Sequence, residues 1–313
     1  MNSLINKHYL CSSKLSDRMT KKLKNYFRLI RTPQWIKNFF IFLPLFFSFR
    51  IDEPNLWIAD IWAFIGFCFV ASAVYIINDW NDIKSDSLHP EKKNRPLASG
   101  AVNKKEALIL ILGLFTIGEL IYILVLKNYT ATYLISAYFI LNIFYSIKLK
   151  HIPIVDISIV AIGFVIRVFI GGIVTGIPLT KWLVIMTFLM AIFFVLGKRR
   201  DDMVIFEKTG KKARKNLDGY NLEFLNATII IVSTIMMVSY IMYTLSADVA
   251  VRNGENLYLT SLFVFMGLFR YLQIIFIEEK SGSPTKVFLK DHFIHIIVFC
   301  WLISFYVISK YFR

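Results

Sequence analysis

Polar and apolar positions along this chain are sorted into long blocks. Nine apolar stretches stand out, at roughly 38–50, 56–77, 106–126, 130–147, 153–174, 180–197, 225–246, 257–277 and 291–309. A helix crossing a bilayer needs about 20 mostly apolar residues. The first stretch is short and would begin at the interface; the others approach or reach the required length. The pattern predicts an all-α polytopic membrane protein, a bundle of nine transmembrane helices with its termini on opposite sides.

The polar blocks between them orient the bundle. With the N-terminus cytoplasmic, the inside segments hold 28 Lys and Arg against 6 outside, which the positive-inside rule reads as N-terminus in and C-terminus out. At 57% hydrophobic and 18% charged residues over 313 positions, the chain exceeds a soluble core in apolar content. Its net charge of +15 falls almost entirely on the cytoplasmic face, where anionic headgroups account for much of it. Basic residues dispersed over five segments, with the aromatics in the spans, argue against nucleic acid. Cys11, Cys68 and Cys300 are too far apart to suggest a disulfide framework or a zinc site. Residues 1–20 lack the apolar core of a secretory signal. In 21–30, Leu23, Tyr26, Phe27 and Ile30 recur at helical spacing among lysines and Arg28, as in a helix lying on the inner leaflet. The expected layout is an interfacial segment over 1–32 and one transmembrane domain over 33–313, with cytoplasmic loops at 78–105 and 198–226.

Acid is concentrated in one place, Asn78-Asp79-Trp80-Asn81-Asp82-Ile83-Lys84-Ser85-Asp86, directly after the second apolar run. At about 100° per residue, a continuing helix sets Asn78, Asp82, Asp86 and Asp79 at roughly 0°, 40°, 80° and 100°. Carboxylates this close repel, and a divalent cation held by oxygen ligands relieves the repulsion. The site expected here is Mg²⁺ shared with a phosphorylated substrate. The plainer alternative is a solvated helix end whose acids pair with Lys84, Lys92 and Lys93. Lys92, Lys93 and Arg95 follow only six to nine residues after Asp86, so bases able to hold phosphate oxygens face acids able to hold a metal.

Other positions carry weaker signals. Trp35 suits headgroup depth, with Lys37 and Asn38 at the mouth of the first span. Asn142 and Tyr145 share a face near the end of the fourth. Asp156 favours the N-terminus of the fifth as a capping acid. Glu119 and Arg167 sit about 20 Å deep and are expected to form an intramembrane pair. Lys198-Arg199-Arg200-Asp201-Asp202 opens a long basic segment, read either as a second half-site or as positive-inside anchoring. His292 and His295 suit the interface with no metal partner in view.

Together these motifs resemble the UbiA superfamily of intramembrane prenyltransferases, whose signature Asn-Asp-x-x-Asp-x-x-x-Asp is matched by Asn78, Asp79, Asp82 and Asp86. Within it, Gln34-Trp35-Ile36-Lys37-Asn38, His89-Pro90-x-Lys92-x-x-Arg95-Pro96, Tyr145-Ser146 and Lys198-Arg199-Arg200 followed by an acid look like the decaprenyl-phosphate phosphoribosyltransferase branch. Two departures stand out: the acid after the triplet is Asp201-Asp202 where the branch usually has Glu, and the second Asp-x-x-x-Asp of ordinary prenyltransferases is absent from 198–226. The resemblance implies phosphoribosyl diphosphate as donor, a polyprenyl phosphate as acceptor and Mg²⁺ as cofactor. It further implies Asp79, Asp82 and Asp86 as catalytic acids, and Lys37, Lys92, Arg95, Tyr145, Lys198 and Arg199 as phosphate-binding groups. Asp201 or Asp202 would be a possible second acidic ligand, and the setting a bacterial-type cytoplasmic membrane with the site facing the cytoplasm. Two other functions compete. Prenyl transfer from a polyprenyl diphosphate to a small acceptor would use the same metal site, whereas a transporter would need polar groups at the midplane and paired, interrupted helices.

Overall fold

The computed structural model describes residues 20–48, 50–88, 92–210, 215–279, 287 and 290–311. A bilayer core offers no water to satisfy backbone groups, and every regular element among the described residues is helical. Helix α1 runs through 20–30. It is followed by a 3₁₀ segment at Thr32–Phe42 and by α2 at Leu43–Phe47. The long elements are α3 (Pro54–Asn81), α5 (Lys104–Leu120, prolonged by a π turn at Ile121–Val125), α6 (Tyr129–Ile147), α7 (Val155–Thr175), α8 (Lys181–Thr209), α9 (Leu222–Leu245), α11 (Ser261–Gln273) and α12 (His292–Tyr311). Short helices α4 (Ile83–Ser87) and α10 (Ala247–Asn253) sit between them.

Among the described residues eight helices are long and apolar enough to cross a membrane. The remaining apolar stretch, the first at 38–50, falls on the 3₁₀ segment and α2. Pro44, at the start of α2, has no N–H with which to continue a ladder from the preceding turn. Side chains fix this segment instead: Trp35 Nε1 donates to Ser72 Oγ at 3.0 Å, and Asn38 Nδ2 to Cys68 Sγ at 3.0 Å. Asn38 is therefore buried against α3.

The segment 198–226, expected as a loop, is helical as far as Thr209, because α8 continues straight through the basic triplet. The reason lies in its side chains. Arg199 and Arg200 turn inward to buried acceptors, so the charges do not force the helix to end. Gly210, at φ 67°, closes it.

The chain gathers into two compact units, one of residues 1–148 and 169–178 and one of 149–168 and 179–313. In the first, Leu29, Ala73, Ile76, Leu97, Val102 and Ile111 form a core between α1, α3, α5 and the segment before α5. Helices α3 and α5 approach closely where Gly118 faces Val70 and the Gly66 carbonyl, with no room for a Cβ. Small residues allow this approach, which adds packing contacts in a medium where apolar burial alone drives nothing. In the second unit, Phe193, Leu196, Leu225, Ile229, Tyr271 and Ile275 form the centre of the core. Ile109, Leu124, Tyr133 and Ile140 are exposed, as expected of faces turned to lipid tails.

Candidate functional site

The acidic stretch begins on α3 and ends on α4. Asp82 interrupts the helix with φ −93° and ψ 3°, yet the Asp86 N–H still reaches the Asp82 carbonyl at 2.8 Å. The offset is small enough to keep the acids together. Arg95 Nη1 donates to Asp79 Oδ1 at 3.0 Å and to Asp86 Oδ2 at 2.6 Å, so one guanidinium nitrogen joins two carboxylates. Arg31 Nη2 donates to the same Asp79 oxygen and stacks its guanidinium 5.4 Å from the Tyr75 ring. Asn78 Nδ2 donates to Asp82 Oδ2 at 3.2 Å. Asp79 and Asp86 are each only 3% exposed.

Arg95 is aimed by its loop. Its own N–H bonds to the Lys92 carbonyl, and Leu97 and Val102 fix the following residues in the core. Gly100, at φ 72°, makes the turn. Asn103 then starts α5 with a reciprocal capping box to Glu106, whose carboxylate also takes Lys22 Nζ at 2.5 Å. The expectation that acids and bases meet here is met by Arg95. Lys92 and Lys93 lie on a short 3₁₀ turn, Lys93 exposed. His89 and Pro90 lie outside the described residues. Lys37 and Tyr145 are half-buried in the same unit.

The donor set Asn78, Asp79, Asp82 and Asp86 is all oxygen, the chemistry that Mg²⁺ selects. Because one cationic nitrogen already reaches both Asp79 and Asp86, these residues fit a divalent cation. Among the described residues, no three acidic, His or Cys side chains are gathered in advance as a ligand cluster. A bound cation therefore requires a change of partners at Asp79 and Asp86.

The second unit holds a different cluster. Asp156, in the first turn of α7, accepts from Arg199 Nε at 2.8 Å and from Arg199 Nη2 at 2.5 Å on one oxygen. The other oxygen accepts from Tyr220 OH at 2.8 Å. Tyr220 in turn accepts from the Ile154 N–H at 2.6 Å. Ile154 has φ 68°, a genuine outlier for a β-branched residue, and this bond holds it there. Burial pushes the Tyr220 phenol above its ordinary range, and its donation to Asp156 adds to the shift. It stays an O–H donor. Gly219 lies against Pro153 where a Cβ would not fit, bringing Tyr220 up to α7.

Arg199 is thus turned onto Asp156 and only 2% exposed, with Asp202 3.6 Å away on its other side. Arg200 donates to Asn226 Oδ1 at 2.8 Å and to the Ile275 carbonyl at 2.6 Å. Asp201 is buried, whereas Lys198 and Asp202 are half-buried. Of the intramembrane charges, Glu119 accepts from Ser136 Oγ at 2.7 Å, and Arg167 donates to the Gly163 carbonyl of its own helix at 2.5 Å.

Sequence reasoning passed over Arg31 and Tyr220 and read Asp156 as a cap. Asp156 carried a readable signal, an acid one helical turn from Pro153 with the basic triplet in want of partners. Arg31 did not.

The eight apolar helices make this an integral, multi-pass membrane protein, with acids and guanidinium groups gathered where α3 passes into α4. The chain belongs to the UbiA prenyltransferase family, a family of transferases, which it matches over residues 41–303. It is 30% identical over 286 residues to the decaprenyl-phosphate phosphoribosyltransferase of Mycolicibacterium smegmatis, covering 88% of this chain and 89% of that one. It is 28% identical over 278 residues to the protein of the same name from Corynebacterium glutamicum, covering 88% and 83%. In fold it is similar to a UbiA homolog from Archaeoglobus fulgidus bound to DMAPP and Mg²⁺, with TM-score 0.67 and 20% identity over 92% of this chain and 99% of that one.

Proposed function

We propose that this protein transfers a 5-phosphoribosyl group from phosphoribosyl diphosphate to a polyprenyl phosphate of the decaprenyl type, with Mg²⁺, at the cytoplasmic face of a bacterial-type inner membrane. What carries this reading is the extent of similarity to relatives named decaprenyl-phosphate phosphoribosyltransferase, which takes in most of both chains. The absence of a second Asp-x-x-x-Asp from 198–226 supports a sugar diphosphate over an allylic one. The proposed topology has nine spans, with the short 38–50 segment as the first, N-terminus in and C-terminus out.

Asn78, Asp79, Asp82 and Asp86 would hold the metal. When bound, Mg²⁺ supplies positive charge to the donor's diphosphate and improves it as a leaving group. Arg31 and Arg95, released from Asp79 and Asp86 by that exchange, have fixed planar donors for phosphate oxygens. The lipid phosphate is already an anionic nucleophile, so an oxygen of it bonds to ribose C1 as the C1–O bond to diphosphate breaks, without a general base. Positioning supplies the rate. Lys37, Lys92, Arg95, Tyr145 and Lys198 are the proposed phosphate contacts. Arg199, held by Asp156, contributes positive potential and shape, with Asp201 or Asp202 as a further acidic ligand.

The test offers radiolabelled phosphoribosyl diphosphate to the purified protein with polyprenyl phosphate and Mg²⁺. Label should move into the organic phase. No labelled lipid, together with turnover of an allylic diphosphate and an aromatic acceptor, would replace this reading with prenyl transfer.

A further inference from the structure

An open groove of ≈ 500 Å³ runs beside α1 in the first unit, and four cationic side chains, Lys24, Arg28, Arg31 and Arg95, line it together with Phe27. Among the described residues no carboxylate belongs to its lining. Its volume is that of a small-ligand site. We propose that this groove receives the phosphate group of an isoprenoid phosphate carried in the membrane. The proposal rests on the reading that such a lipid is the acceptor, and assigns its headgroup to Lys24 and Arg28.

The helix decides which kind of phosphate can reach it. Leu29 is fully buried in the core of the unit, so α1 cannot roll about its axis. That anchoring turns Leu23 and Phe27, 56% and 55% exposed, outward as one i, i+4 pair. Lys24 and Arg28 form a second i, i+4 pair one position further round. An exposed apolar pair flanked by a basic pair is the pattern of a helix in the headgroup layer, with its apolar side chains among the acyl chains. A phosphate at the end of an isoprenoid tail sits at that depth, next to Lys24 and Arg28. A soluble sugar phosphate gains nothing from Leu23 and Phe27.

The groove also reaches the acid cluster. Arg28 Nη2 donates to the Asn94 carbonyl at 2.9 Å, on the loop that aims Arg95. Arg31 and Arg95 line the groove while bonded to Asp79. A phosphate entering at Lys24 and Arg28 would meet two guanidinium groups whose present partners are the proposed metal ligands.

The experiment measures retention of labelled undecaprenyl phosphate by the full-length protein in detergent micelles. Phosphatidylglycerol and phosphoribosyl diphosphate are measured in parallel. The Lys24→Ala/Arg28→Ala variant should bind the isoprenoid phosphate about tenfold more weakly, the scale of a lost charge-assisted contact, and phosphoribosyl diphosphate within about twofold of wild type. Lys24→Glu, at an exposed position where the fold is not at stake, should shift binding the same way. Unchanged isoprenoid phosphate binding in both variants overturns the proposal. So does an equal loss for phosphatidylglycerol, which would make the groove a general anionic-lipid anchor, or a loss confined to phosphoribosyl diphosphate, which would make it the donor site. If the isoprenoid phosphate binds through Lys24 and Arg28 but no phosphoribosyl transfer occurs, the groove stands and the reaction reading falls.

Discussion

Asp79 and Asp156 are both buried aspartates bonded to arginine, yet their surroundings make them opposites. Around Asp79 three carboxylates and an amide meet two guanidinium groups, and Arg95 serves two acids through one nitrogen with 27% of its side chain exposed. Acid is in excess there, and the arginine can leave toward solvent or a ligand. Around Asp156 one carboxylate receives two guanidinium N–H groups and a phenol, with Arg199 and Asp156 2% and 0% exposed and Asp202 3.6 Å from another nitrogen of the same guanidinium. Identical residue types thus make a half-open cluster in one unit and a buried brace in the other. Burial of the arginine, 27% exposed at Arg95 and 2% at Arg199, separates the two, and the identity of the charges does not.

The sharpest break would come from Asp82, which accepts from Asn78 Nδ2 at 3.2 Å. Asp82→Asn should lower turnover by at least about 100-fold, the scale of losing a preorganised charge in a site, with the melting temperature in detergent unchanged. Full activity at saturating Mg²⁺ would remove the proposed metal role. On the other side, Asp156→Ala should leave Arg199 buried without its carboxylate and destabilise the protein by about 3–5 kcal/mol, read by thermal unfolding. A stable Asp156→Ala protein that had lost only activity would make this cluster part of the reaction. Tyr220→Phe, removing one donor and one acceptor from the same brace, should cost about 1–3 kcal/mol and show as faster amide exchange at Ile154.

A surface pair sets the lower limit. Hydrogen bonding from Arg270 holds Asp291 below the usual aspartate range, at 2.7 Å and with both side chains partly exposed. A carboxyl lowered on folding contributes stability above its unfolded value, and that contribution is lost as the pH falls through the folded one. Asp291→Asn should therefore cost under about 1 kcal/mol near neutral pH. The difference from wild type should begin to shrink below about pH 4 and vanish only once the pH has fallen through the lower folded value.

The spans are legible because length and apolarity are additive along the sequence, and the acids are legible because 78–86 concentrates them. The 3₁₀ path of 32–42 is not, since hydropathy does not distinguish it from an α turn and its causes are Trp35 on Ser72 and Asn38 on Cys68, more than 25 residues away. The continuation of α8 through Lys198-Arg199-Arg200 was hidden for the same reason. A charged run reads as the end of a span unless its buried partners, Asp156, Asn226 and the Ile275 carbonyl, are known. Arg95 could be placed beside the acids from spacing because its loop is short. Arg31, 48 residues from Asp79, could not.

Arg31 also departs from what its backbone would choose. Its φ of 56° and ψ of 47° are the left-handed values at which glycine or asparagine rests without strain, while another residue gives up roughly 1 kcal/mol. Any substitution that relaxed the chain there would also delete the guanidinium held between Asp79 and the Tyr75 ring. Local comfort and side-chain reach are in direct competition at this one position. A charge-assisted bond to the buried Asp79 is worth about 1.5–3 kcal/mol, more than the strain, so the chain keeps an uncomfortable backbone there to tie the interfacial helix to the acid cluster.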